Sequence, residues 1–112
     1  MKKVLWFSRH EMTATQKSAL GECEILQVNR TINSVFELQG EIEQCDVIAI
    51  VAPINLQAQF LKLAGDKPVI MAVSERKLVK QEDGQEDKVI FEFVKWERLL
   101  KIEVVKTDYI LS

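Results

Sequence analysis

Ser8-Arg9-His10 follows directly on the apolar run Val4 to Phe7. An arginine guanidinium is a rigid two-pronged donor that matches phosphate geometry. An imidazole exchanges a proton near neutral pH, and His10 is the only histidine in the chain. Adjacent Arg and His at a strand exit therefore point to anion recognition with proton transfer available. Neither residue is needed to turn the chain, because Thr13 can cap the helix that follows. Comparable polar groups follow the next apolar runs: Asn29-Arg30-Thr31, then Pro53-Ile54-Asn55, then Ser74-Glu75-Arg76. Arg9 and His10 are the expected catalytic pair. Ser8, Asn29, Arg30, Thr31, Asn55, Ser74 and Arg76 are the expected ligand-binding residues.

The elements that must position these groups are legible as four apolar runs, residues 3–8, 24–29, 46–52 and 68–74. They are nearly continuous in Val, Ile, Leu and Ala, as in strands covered on both faces. Helix signals lie between them. Thr13-Ala14-Thr15-Gln16 is a capping box, and Gly21 ends that helix. Ser34-Val35-Phe36-Glu37 is a second box, followed by an apolar stripe of Val35, Leu38, Ile42 and Cys45. Asn55 is the expected cap of a third helix, with Leu56, Phe60, Leu61 and Leu63 facing the sheet and Gly65 as its stop. The order β-α-β-α-β-α-β with short connections predicts an α/β fold, a small Rossmann-like parallel sheet. Ligands of such sheets bind outside the carboxyl ends of the strands, where helix N-termini offer free N–H groups.

The last third changes character. A charged turn at residues 81–88, centred on Asp83-Gly84, separates alternating runs at 77–80 and 89–94, which predicts a C-terminal β-hairpin extension. Residues 99–105 read as one further strand. The chain is expected to be a single domain, 1–112, with a βα core over 1–76 and the hairpin and C-terminal strands over 77–112. Trp96 and Phe93 fit core or dimer contacts better than base-stacking roles.

Bulk composition removes several functions. The chain has 112 residues, 47% hydrophobic and 29% charged, with a net charge of -2, so bulk attraction to duplex nucleic acid or an anionic membrane is not expected. No apolar stretch reaches membrane-span length, and the run after Met1-Lys2-Lys3 is too short for a secretory signal. A cytoplasmic protein is expected. Cys23 and Cys45 lack a CxxC spacing and read as buried apolar side chains rather than zinc ligands. The absence of GxxxxGK[ST] and GxGxxG argues against P-loop hydrolysis and dinucleotide binding. No strand end gathers carboxylates, so neither a metal nor a cofactor is expected.

Two resemblances follow from the first strand exit. Arg9-His10, with Thr13 beyond it, resembles the Arg-His-Gly motif of histidine phosphatases, but Glu11 stands where that family has glycine. That family also needs a second histidine and a larger domain. Over residues 4–64 the chain resembles small CRISPR-associated ring-nuclease families. The matching stretches are "WFSRHEMTATQ" and "DVIAIVAPINLQAQFLKLA". This resemblance implies a Rossmann-like fold that binds and cleaves cyclic oligoadenylate, the signal of type III CRISPR antiviral defence. It assigns the chemistry to Arg9 and His10. A ring with internal symmetry suits a homodimer. The expected function is thus a metal-independent ring nuclease. The alternative is a non-catalytic nucleotide- or phosphate-binding regulatory module of CRISPR or phage origin. A third class, a structural protein that associates through the hairpin and Trp96, also fits the composition.

Overall fold

The computed structural model describes residues 1–80, 84 and 87–111. Along it run β1 (Lys2–Phe7), α1 (Ala14–Leu20), β2 (Cys23–Val28), a 3-10 turn (Val35–Leu38) leading into α2 (Gln39–Gln44), β3 (Val47–Ile50), α3 (Ile54–Ala64), β4 (Val69–Val79) and β5 (Lys88–Arg98). The strands form one mixed sheet in the order β2-β1-β3-β4-β5. β1 pairs in parallel with β2 and β3, β3 pairs in parallel with β4, and β5 joins β4 antiparallel. The fold is therefore α/β, a mostly parallel sheet ending in an antiparallel hairpin. Among the described residues no helix is long and apolar enough to cross a membrane.

Both faces of the central strands are covered, which explains their unbroken apolar runs. Val4 and Trp6 of β1 pack with Met12, Val47, Ala49 and Ile70, and Leu20 of α1 closes that face. Leu5 and Phe7 point the other way, into a core with Leu38, Ile42, Ile48 and Phe60 under α2 and α3. Phe60 is fully buried, its ring 5.2 Å from that of Phe7. Cys45 joins the same core, and burial raises its thiol pKa.

Both expected capping boxes form. Thr13 Oγ1 accepts from Gln16 N at 3.1 Å, and Gln16 Oε1 accepts from Thr13 N at 2.9 Å. Glu37 accepts from the N–H groups of Asn33 and Ser34 at 2.8 and 3.1 Å. These bonds to its charged form lower its pKa, the Ser34 bond first, with the Arg30 charge adding to the effect.

Asn55 does not cap α3. Pro53 occupies that position with φ -67 and ψ 162, and its carbonyl accepts from the amides of Leu56 and Gln57, both at 3.0 Å. Asn55 falls inside the first turn instead. Proline's fixed φ already sets the entry to the helix, so no side-chain cap is required.

Two boundaries also differ from expectation. The fourth strand does not stop at residue 74. β4 continues to Val79, so the expected strand and the first hairpin arm are one strand that crosses the 76/77 division. A bulge between Val73 and Ser74 shifts the pairing there. The extra residue is Val94 on β5, so β4 itself runs regularly; the run read as ending at residue 74 because cover stops there and polar Ser74-Glu75-Arg76-Lys77 follow. Residues 99–105 are not a strand. Leu99 N still donates to Val69 O at 2.8 Å, and residues 100–111 join no ladder. Gly84 stands in the hairpin turn with φ 81, while the other residues of that turn at 81–83, 85 and 86 lie outside the described residues.

Candidate functional site

The strand order reverses between β1 and β3, because β1 leads outward to β2 and β3 leads the other way to β4. Beyond the carboxyl ends of β1, β2 and β3 lies a cavity of about 300 Å³. This is where a crevice opens in a sheet of this order, since adjacent loops leave in opposite directions. Phe7, Val28, Ile32 and Leu56 give it an apolar wall, and Ser8, Arg9, His10, Arg30 and Thr31 give it a polar rim.

The first exit loop is fixed by its backbone. Ser8 N donates to Val28 O at 3.2 Å, and Val51 N donates to Phe7 O at 2.9 Å. Ser8 is buried, and its hydroxyl accepts from His10 N at 3.1 Å, closing a local turn. The His10 carbonyl accepts twice, from Trp6 Nε1 at 2.8 Å and from Gln27 Nε2 at 3.1 Å. Trp6 and Gln27 are register partners across β1 and β2, so both donors rise from one face of the sheet. Gln27 Nε2 also donates to Ser8 O at 3.2 Å.

The rim carries the charge. Arg9 Nη2 donates to Thr31 Oγ1 at 2.8 Å and links the exits of β1 and β2. Arg30 Nη2 lies 3.8 Å from Glu41 Oε1. Both partners are substantially exposed, so this pair is weak and a phosphate can compete for the guanidinium. Pro53 and Leu56 bring the start of α3 to the opposite wall. The free amides at a helix start favour an anion there.

The structure thus brings together Ser8, Arg9, His10, Arg30 and Thr31. It does not bring the others to the cavity wall. Asn29 is exposed on the exit of β2, and Asn55 lies in the first turn of α3 but outside the lining. Ser74 and Arg76 lie inside the hairpin, opposite Phe93 and Phe91. Arg76 is six residues past Ile70, where β4 leaves β3, a reach of roughly 20 Å along an extended strand. The expectation for Ser74 and Arg76 failed because β4 does not end where they stand. Sequence reasoning missed Trp6 and Gln27, which hold the loop, and the apolar wall. A glutamine one place before the end of an apolar strand was a signal for the former. The last apolar residue of each run was a signal for the latter.

Comparison of the chain with protein-family models, with curated proteins and with solved structures finds no match.

Proposed function

We propose that this cavity binds a phosphate-bearing nucleotide on a Rossmann-like scaffold and that the chain is a metal-independent ring nuclease acting on a cyclic oligoadenylate. One observation carries the reading: Arg9, His10 and Arg30 line the same cavity, which has an apolar wall on its other side. An apolar wall suits a base, and a cationic rim suits the phosphate attached to it. The volume lies at the small end of the roughly 300–1,000 Å³ of ligand pockets, so one protomer holds part of a ring and a two-fold homodimer holds the rest.

The chemistry needs no metal. A ribose 2′-OH held in line attacks the adjacent phosphorus. The new O2′–P bond forms as the P–O5′ bond breaks, leaving a 2′,3′-cyclic phosphate and a 5′-OH. Arg9, held by Thr31, stabilises the charge that develops on the phosphoryl oxygens. His10 delivers a proton to the departing 5′ oxygen while water takes the proton of the 2′-OH. Arg30 clamps a neighbouring phosphate after exchanging Glu41 for it.

A second reading has its own support. Among the described residues, His10 is the one imidazole on the cavity wall, and the wall holds no carboxylate. A site with one such group also fits a regulatory module that holds the nucleotide without opening it. Incubation with cyclic tetraadenylate in EDTA separates the two. Breakdown that His10→Ala and Arg9→Ala abolish supports the nuclease. Saturable binding of intact ligand supports the module. Neither binding nor breakdown sinks both readings.

A further inference from the structure

The hairpin and the segment after it leave an apolar surface uncovered. Beyond the bulge, Ser74, Arg76 and Leu78 of β4 stand opposite Phe93, Phe91 and Val89 of β5. Opposed residues of an antiparallel pair share a face. Near the sheet this face is covered: Trp96 packs edge-on against Trp6, with ring centroids 5.8 Å apart, and its Nε1 donates to Gln16 O of α1. Further out the cover stops, and Phe91 is 74% exposed and Leu78 61%.

β5 is the last strand in the sheet order, so its outer edge pairs with no strand among the described residues. An edge of this length with free N–H and C=O groups is a template for another strand. The same chain carries a strand-like segment with no ladder of its own. In residues 100–104 Leu, Ile and Val alternate with Lys101 and Glu103. After a one-residue step, Val105, Thr107, Tyr109 and Leu111 continue the period of two. Lys101 Nζ lies 3.6 Å from Glu103 Oε2, as side chains two apart on one face of an extended chain do. Tyr109 is 85% exposed.

The segment does not fold back on its own β5. No glycine, proline, asparagine, aspartate or serine lies within residues 99–107, so the chain just after Arg98 lacks the residues that favour a tight reversal. The radius of gyration of 17.9 Å, against roughly 13 Å for a compact domain of this size, shows how far hairpin and segment project. Phe91, Val105, Tyr109 and Leu111 are each at least 74% exposed, so hairpin and segment together hold apolar surface without cover.

We propose that a second copy of this chain supplies the missing strand. Residues 101–111 of one protomer pair with the free edge of β5 in the other, and the exchange is reciprocal about a two-fold axis. The length of β5, 11 residues, matches the donated segment, so neither edge is left long. Reciprocal exchange closes the assembly at two copies. It also sets apolar side chains of the segment next to Phe91 of β5 on the widened sheet.

The test is oligomeric state without any ligand, so it is independent of the proposed catalysis. Sedimentation equilibrium should give a dimer for the full chain at micromolar concentration. A chain ending at Leu100 should be a folded monomer whose melting temperature does not change with concentration, whereas that of the full chain should rise with it. Val104→Pro, which removes one ladder donor and leaves the folded body intact, should weaken association at least tenfold. Amides of residues 101–111 should gain exchange protection as concentration rises. A full chain that stays monomeric throughout, or a truncated chain that stays dimeric, overturns the proposal.

Discussion

The Arg9 guanidinium donates to the Thr31 hydroxyl across 2.8 Å, tying together residues 22 positions apart. The bond sets the direction of a charged side chain on an otherwise open rim. Lost contacts to a charged group cost about 1.5–3 kcal/mol. Arg9→Ala should therefore weaken cyclic tetraadenylate binding roughly ten- to a hundredfold, with little change in stability. Thr31→Val keeps the charge and removes its anchor, so the loss should be smaller. Isothermal titration of both variants, with urea melts alongside, checks the order.

Trp6 and Gln27 donate to the same carbonyl, that of His10. With either donor removed, the other still satisfies it. Gln27→Leu should cost about 1 kcal/mol and Trp6→Phe more, because it also leaves space in the core beside Trp96, and the double variant should cost at least about 0.5 kcal/mol more than their sum. A double-mutant cycle in urea measures that difference. Strict additivity would mean the loop is held by something else.

Glu37 has a lowered pKa because it accepts two backbone N–H bonds, with the Arg30 charge adding to this. A depressed folded-state value means stability that is present above the ordinary carboxylate value of 4.5 and is lost as pH falls through the lower, folded value. Melting temperature should therefore drop on acidification below that point. Glu37→Gln should remove part of the drop, so its curve runs flatter through the same window. Parallel curves for the two proteins would exclude this contribution.

Gly21 ends α1 with φ 78 and ψ -162, a region open almost only to glycine. An added Cβ meets nothing within 4 Å, so any cost of Gly21→Ala is conformational rather than steric contact with neighbours. The expected loss is about 1–3 kcal/mol in chemical denaturation.

The parts of the fold that were legible in the sequence are those where local chemistry and burial agree. Thr13 with Gln16, and Ser34 with Glu37, form the expected caps because both partners of each box are local. The runs around Leu5 and Ile48 read as strands because both faces are covered. Arg9, His10, Arg30 and Thr31 could be placed on one cavity wall because parallel strands of similar length end together. Ser74 and Arg76 could not be placed, since the loss of cover at Ser74 reads as a strand end, while the pairing that carries β4 onward comes from residues 88–98. The role of Gln27 was hidden for another reason: its partners lie 17 and 19 positions away, and only the β1–β2 register brings them together.

β4 runs unbroken from Val69, beside β3, to Val79 at the far end of the hairpin. The projecting arm therefore has no joint of its own, and the bulge is the one place where its ladder yields. β3 ends one residue before Val51, which lines the cavity, so a single strand separates the one that carries the arm from the crevice.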